Sequence, residues 1–329
     1  MIFLRNMLFL APIFVSVSAY SGPYEFRIAG AKSIYFDDKM IPSIQKNSDL
    51  QEPELIELVT EDEQKLVGHF HDRKSDTVII LGHGFNACKS KWIEQSVIHM
   101  FPGYDILTFD YRWNSMAGYI LSLKTLTSPV DRLVFDGKKD LRSAVDFVRK
   151  RKNYRQVIGL GECHSAYLFV SSQAEARKQK RPLFDKLILD SCWLKISDFI
   201  DSLLVDPLLL LNTQTGYVPG VFKNILHWSP GINISRFFWS IITPSLSLTS
   251  DLKKLDVPVL FIYGKNDLLV SNSSFNTIWK ITKSKQKAAL ITPYEHVGSY
   301  ANVALYQYFC NEFIENEFDV FSGKISTSF

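Results

Sequence analysis

Val157-Ile158-Gly159-Leu160, then Gly161-Glu162-Cys163-His164-Ser165, then Ala166 to Arg177 form the stretch on which the reading of this chain turns. The first four residues are an apolar run of strand type and the last twelve suit a helix, so the five between them put a cysteine at the tip of a strand-to-helix turn. Small residues are needed around such a tip, because the backbone bends sharply and strand and helix nearly touch. Gly161 meets that demand on one side, and Ser165 stands on the other. A small buried cysteine at a strand end is also ordinary packing, so the turn alone decides nothing.

Residues further along supply two polar partners. Val257-Pro258-Val259-Leu260-Phe261-Ile262-Tyr263-Gly264-Lys265-Asn266-Asp267 reads as a buried strand closed by a glycine turn, with Asp267 just beyond it. A carboxylate there sits at the carboxyl end of a central strand, where open parallel sheets place ligands and reacting groups. Lys287 to Thr292 (KAALIT) reads as a short strand, and the loop Pro293-Tyr294-Glu295-His296-Val297-Gly298 after it offers His296 as a base. Taken singly, the aspartate is a turn cap and the histidine a solvated loop residue. Upstream, Asp76 to Leu81 (DTVIIL) runs into Gly82-His83-Gly84-Phe85-Asn86, and Asp105 to Phe109 (DILTF) runs into Asp110-Tyr111-Arg112.

Together these residues resemble the α/β-hydrolase superfamily, over roughly residues 55 to 315. In that family the turn usually reads Gly-x-Ser-x-Gly, the acid follows the nucleophile and the histidine comes last. Here Cys replaces Ser, and Ser replaces the second Gly. The resemblance implies an α/β-hydrolase fold, a mostly parallel central sheet with helices on both faces and an inserted helical cap. It implies Cys163 as nucleophile, His296 as its base and Asp267 as the group that orients the histidine. The backbone N–H groups of Phe85 and His164 would form the oxyanion hole, with His83 and Gly84 as the supporting loop. The cysteine turn is similar to that of dienelactone hydrolases, and polyester synthases of the same superfamily also use a cysteine, with acyl thioesters.

A thiolate leaves a tetrahedral intermediate more easily than an alkoxide, so esters and thioesters with good leaving groups suit Cys163 better than amides. The expected activity is hydrolysis of small-molecule carboxylic esters or thioesters through an acyl-enzyme, including substrates with apolar acyl chains, with no metal or organic cofactor. Two alternatives stay open: an acyltransferase using the same acyl-cysteine, and an inactive relative that binds a lipid or protein. Two departures from the family pattern bear on this. Glu162 would oppose the thiolate if its charge points inward. Ser165 is a variant nucleophile, although two residues past the tip it falls within the helix.

Composition agrees with an enzyme of this kind. The 329 residues are 46% apolar, enough for a large core, and carry a formal charge of +3. The basic runs Arg149-Lys150-Arg151-Lys152 and Arg177-Lys178-Gln179-Lys180-Arg181 each close a predicted helix, where cations complement the dipole, so they point to solvated helix ends rather than a nucleic-acid partner. The four cysteines, Cys88, Cys163, Cys192 and Cys310, lack metal-ligand spacing. Cys88 follows the strand at Asp76 to Leu81 and is a candidate for a reversible disulfide with Cys163.

Organisation along the chain follows from the same patterns. Residues 1–19 have the layout of a secretory signal peptide or an N-terminal anchor: Arg5, the apolar segment Met7 to Val17, then Val17-Ser18-Ala19. This predicts export, secreted or periplasmic, or membrane association, with a cytoplasmic location still open. Residues up to about 50 show no clear pattern, and 50–315 form the hydrolase domain. Leu55 to His71 reads as a hairpin around Glu61-Asp62-Glu63. Leu141, Ala144, Val145 and Val148 mark the apolar face of a crossover helix, and Lys186 to Asp190 (KLILD) a further strand. A helix is expected over Ser273 to Ile281 and a terminal one over Ala301 to Glu315. Residues 194–250, rich in Leu, Phe and Trp and broken by Pro207, Pro219, Pro230 and Pro244, form the expected cap, a greasy acyl pocket or a membrane contact. Residues 316–329 read as a tail, and the oligomeric state is not legible.

Overall fold

The computed structural model of the chain describes residues 24–30, 33–36, 52–84, 88–89, 97–112, 129–195 and 247–316. Its strands are β1 Tyr24–Ile28, β2 Ile34–Phe36, β3 Glu54–Val59, β4 Lys65–His71, β5 Thr77–Gly82, β6 Asp105–Phe109, β7 Gln156–Glu162, β8 Lys186–Asp190, β9 Val259–Gly264 and β10 Lys287–Thr292. They make one sheet in the order β2-β1-β10-β9-β8-β7-β5-β6-β4-β3. The block from β10 through β6 is parallel throughout, and an antiparallel pair closes each edge. The alternation of strand and helix read from the sequence therefore holds.

Burial explains the sequence patterns strand by strand. Every residue of β5, β6, β8 and β9 is buried, as expected of parallel strands covered on both faces. In the edge strand β3, Ile56 and Leu58 are buried while their neighbours in the strand are exposed, the alternation of a strand covered on one face. The helices are α1 Pro129–Arg151, α2 His164–Lys178, α3 Thr249–Leu252, α4 Asn272–Ile281 and α5 Val303–Glu315. Leu141, Ala144, Val145 and Val148 of α1 pack with α2 and α4 residues into one core, while Leu305, Tyr306, Phe309 and Phe313 of α5 belong to the core on the other face of the sheet. Arg149 to Arg151 and Arg177 to Lys178 are exposed in last helical turns, where the dipole argument placed them.

Two strands were not legible beforehand. The chain's first described segment, β1, adds antiparallel to β10, and β2 extends it, so the sheet reaches past the edge opposite the β3–β4 hairpin. The signal is hidden because Glu25 and Arg27 interrupt the apolar pattern of YEFRI, yet Glu25 is buried. It accepts hydrogen bonds from Arg27 Nε at 2.6 Å and Ser33 Oγ at 2.9 Å. The terminal helix also begins later than expected, at Val303, after a short 3-10 turn at Ser299–Ala301. Its cap is Asn302, whose side chain accepts from Leu305 N–H.

The strand order reverses at β5, which pairs with β6 on one side and β7 on the other. A crevice opens at such a point beyond the carboxyl ends of the strands. Just beyond β6, Arg112 ties the β3–β4 turn to α1, donating to both carboxylate oxygens of Asp62 at 2.7 and 2.9 Å and to the buried Asp140 at 2.7 Å. Lys195 and Ser247, which flank most of the segment expected as a cap, form an isolated antiparallel bridge. Residues 196–246 of the cap, the N-terminal segment 1–19 and residues 317–329 of the tail lie outside the described residues. Among the described residues no helix is long and apolar enough to cross a membrane.

Candidate active site

Cys163 sits between β7 and α2 at φ 51° and ψ −109°, a backbone state that non-glycine residues seldom adopt and that marks a site held by its surroundings. Its N–H donates to the Asp190 carbonyl at 2.9 Å, and its own carbonyl accepts from Tyr167 N–H at 3.3 Å to start the helix. A Cβ on Gly161 would come within 2.8 Å of Ala166 N, which is why glycine is kept there. The position of the usual second glycine is handled differently. Ser165 is accommodated because Gly82 of β5 lies opposite it: a Cβ on Gly82 would stand 2.7 Å from Ser165 Cβ. The glycine that the turn lacks is supplied by the neighbouring strand.

Ser165 is fully buried and engaged. Its hydroxyl donates to the His83 carbonyl at 2.5 Å and lies 2.9 Å from the Tyr111 hydroxyl, and it is the second residue of α2. It therefore ties the turn to the loop after β5 instead of presenting a nucleophile. Gly84 passes close by, since a Cβ there would be 3.4 Å from Cys163 Cβ. His83 holds this loop: Nδ1 is 2.8 Å from the Gly84 carbonyl and Nε2 accepts from Tyr111 N–H at 3.4 Å. That pattern puts the proton on Nδ1 of a neutral ring, and burial lowers its pKa accordingly. Behind it, Asp110 accepts from Lys89 Nζ at 2.6 Å and Lys89 N–H at 2.8 Å.

His164 opens α2, the position directly after the turn's tip where the resemblance expects an oxyanion donor. Its imidazole has no part in acid–base work near neutrality, because burial, aided by the nearby His83, pushes its pKa down to about 3. The second proposed donor, Phe85, lies outside the described residues.

The structure brings Asp267 and His296 together. Asp267 Oδ2 is 2.8 Å from His296 Nδ1, while Oδ1 accepts from Leu269 and Val270 N–H, both at 2.8 Å. The turn after β9 thus holds the carboxylate through the oxygen that does not face the histidine. Burial opposes a charge on His296, but the Asp267 carboxylate and then Cys163 outweigh it and raise the ring's pKa well above its ordinary value. Its Nε2 is buried and makes no hydrogen bond of good geometry, and Cys163 is, after Asp267, the group that acts on the ring. All four cysteines are free thiols, Cys88 included.

Glu162 departs from expectation. It is 1% exposed at the end of β7, and burial, reinforced by Asp190, pushes its carboxyl up to about 8. The feared charge beside the nucleophile is therefore largely neutralised by a proton near pH 7. Asp190 and Ser191, which hold the cysteine and histidine backbones, were not singled out in the sequence. Their signal was available: KLILD ends on a carboxylate at a strand's carboxyl edge, just as the region of Asp267 does.

No protein-family description matches the chain, and neither does any curated protein. Solved structures do. The esterase Pf2001 of Pyrococcus furiosus aligns with 85% of this chain and 98% of its own at 18% identity and a TM-score of 0.59. The fold is that of the α/β-hydrolases. The α/β hydrolase GrgF from Penicillium sp. sh18 covers 81% of this chain and 99% of itself at 12% identity, TM-score 0.57. A hydrolase from Pseudomonas aeruginosa covers 80% and 98% at 12% identity, TM-score 0.52. At these identities the likeness is one of fold, and within the α/β-hydrolase fold the site has to be argued from its own residues.

Proposed function

We propose that this chain hydrolyses carboxylic esters or thioesters through an acyl-enzyme on Cys163. The observation that carries the reading is the 2.8 Å contact of His296 Nδ1 with Asp267, which leaves the ring's other nitrogen to the thiol at the strained turn. Cys163 Sγ attacks the substrate carbonyl carbon as its proton passes to His296 Nε2, and Asp267 stabilises the imidazolium. The His164 N–H and that of Phe85 stabilise the oxyanion, each worth about 3–4 kcal/mol in the transition state. Collapse expels the alcohol or thiol, which takes the proton from His296. Water, deprotonated by the same ring, then attacks the acyl carbon and frees the acid.

A ring held toward its charged form keeps the thiol's proton readily, which suits a sulfur nucleophile. Esters and thioesters fit this site better than amides because the thiolate competes well with a poor leaving group for departure. Short and long p-nitrophenyl esters and an acyl-CoA test the reading. Hydrolysis that disappears in Cys163→Ala supports it, transfer to an added alcohol or amine would redirect it to an acyltransferase, and absence of any covalent adduct would point to a binding protein.

A further inference from the structure

Asp190 and Ser191 form a corner that grips both halves of the site. The Asp190 carbonyl accepts from Cys163 N–H at 2.9 Å, and Ser191 Oγ accepts from Val297 N–H, the residue after His296, at 2.9 Å. Ser191 Oγ in turn donates to Asp190 Oδ1 at 3.0 Å. The corner is itself held in an unusual conformation, Ser191 φ 53°, with its N–H donating to the Ile262 carbonyl at 2.9 Å. Side chain and backbone of two adjacent residues thus fix the nucleophile and the histidine loop at once.

Directly across the sheet lies a second carboxyl. Glu162 is the register partner of Asp190 in the parallel β7–β8 pair, so the two side chains leave the same face of strands about 4.8 Å apart. Both are buried, at 1% and 0% exposure, where a lone carboxylate is rare without a cation. Glu162 Oε2 is buried with no hydrogen-bond partner, and Asp190 Oδ2 makes no bond of good geometry, the Tyr306 hydroxyl being the donor that acts on that carboxyl. Two ionised carboxylates only accept and repel each other, so a buried pair of this kind holds at least one proton more readily than a lone carboxylate.

We infer that Glu162 and Asp190 share a proton, and that this buried pair acts through Ser191 and through its charge as a positioning element for His296. The inference rests on the reading of His296 as the catalytic base. The groups facing the pair are Ser191 beside it, His296 and Asp267 from the loops after β10 and β9, Tyr300 from the 3-10 turn, and Tyr306 and Cys310 from α5. The two tyrosines and Cys310 are pushed up by burial and stay protonated, which leaves His296 as the cation that acts on both carboxyls. With one shared proton the pair holds a single negative charge behind the imidazolium. Loss of that proton adds a second.

NMR titration of the His296 ring in the full chain, beside the pH profile of Cys163 alkylation by iodoacetamide, tests this. The wild type should give two steps in both curves, one for the ring and one for the pair. Glu162→Gln should remove the second step. The double variant Glu162→Gln/Asp190→Asn, which carries no charge there, should lower the His296 pKa by about one unit. Identical single-step curves in wild type and both variants would overturn the inference, folding being checked by circular dichroism. If His296→Ala leaves alkylation unchanged, the catalytic reading fails separately, since the ring titration still reports on the pair.

Discussion

Asp190 ends β8 and Asp267 follows β9, the adjacent parallel strand, at the same edge of the sheet, yet their surroundings make different groups of them. Asp267 accepts two backbone N–H bonds on one oxygen and faces His296 at 2.8 Å with the other, so both of its oxygens are engaged. Asp190 is fully buried beside Glu162 and accepts from Ser191 Oγ at 3.0 Å, and burial, opposed chiefly by Ser191 and His296, brings it up to about 7. The lesson is that residue type and strand position nominate a carboxyl, while hydrogen-bond supply and the neighbouring charge assign its role.

Exchanging the two carboxyls for amides is the strongest way to break the comparison. Asp267→Asn should lower kcat/KM for a p-nitrophenyl ester by about 10³–10⁴-fold, because the amide favours the wrong histidine tautomer. Asp190→Asn, which touches neither the ring nor the substrate, should lower it by less than about tenfold at pH 7. Equal losses would erase the distinction.

Ser165→Ala sharpens a different part of the account. Removing a hydroxyl that serves a buried carbonyl and a buried phenol should cost about 1–3 kcal/mol of stability in urea unfolding, with ester hydrolysis retained. Abolished hydrolysis in a folded variant would return Ser165 to the list of nucleophiles.

The smallest effect concerns pH. Both pair carboxyls have folded-state pKa values above their unfolded ones, about 8 for Glu162 against 4.5 and about 7 for Asp190 against 3.8. Their contribution to stability is therefore fully present below about pH 4 and is lost as pH rises through 7 to 8. Glu162→Gln should match the wild type's Tm at pH 5 and exceed it by a few degrees at pH 9. A constant difference across that range would contradict the shared-proton description.

Much of this was legible because the parallel strands are continuous apolar runs and each site residue follows one. KLILD and KAALIT coincide with β8 and β10 residue for residue, and the Cys163 turn, Asp267 and His296 fall at strand ends as read. What was hidden depends on contacts between distant segments. β1 reads as polar until Arg27 and Ser33 satisfy Glu25. Ser165 looks like a misfit until Gly82 is seen across from it. α2 carries no amphipathic stripe because it is buried nearly all round. Glu162 looked like a charge because one-dimensional reading cannot see its partner on β8.

Intact-mass analysis of the protein quenched during turnover of a p-nitrophenyl ester tests the central claim most directly. The mechanism requires the mass of one acyl group to appear on the peptide containing Cys163 and to vanish, together with hydrolysis, in Cys163→Ala. Ester turnover that persists undiminished in that variant would contradict it.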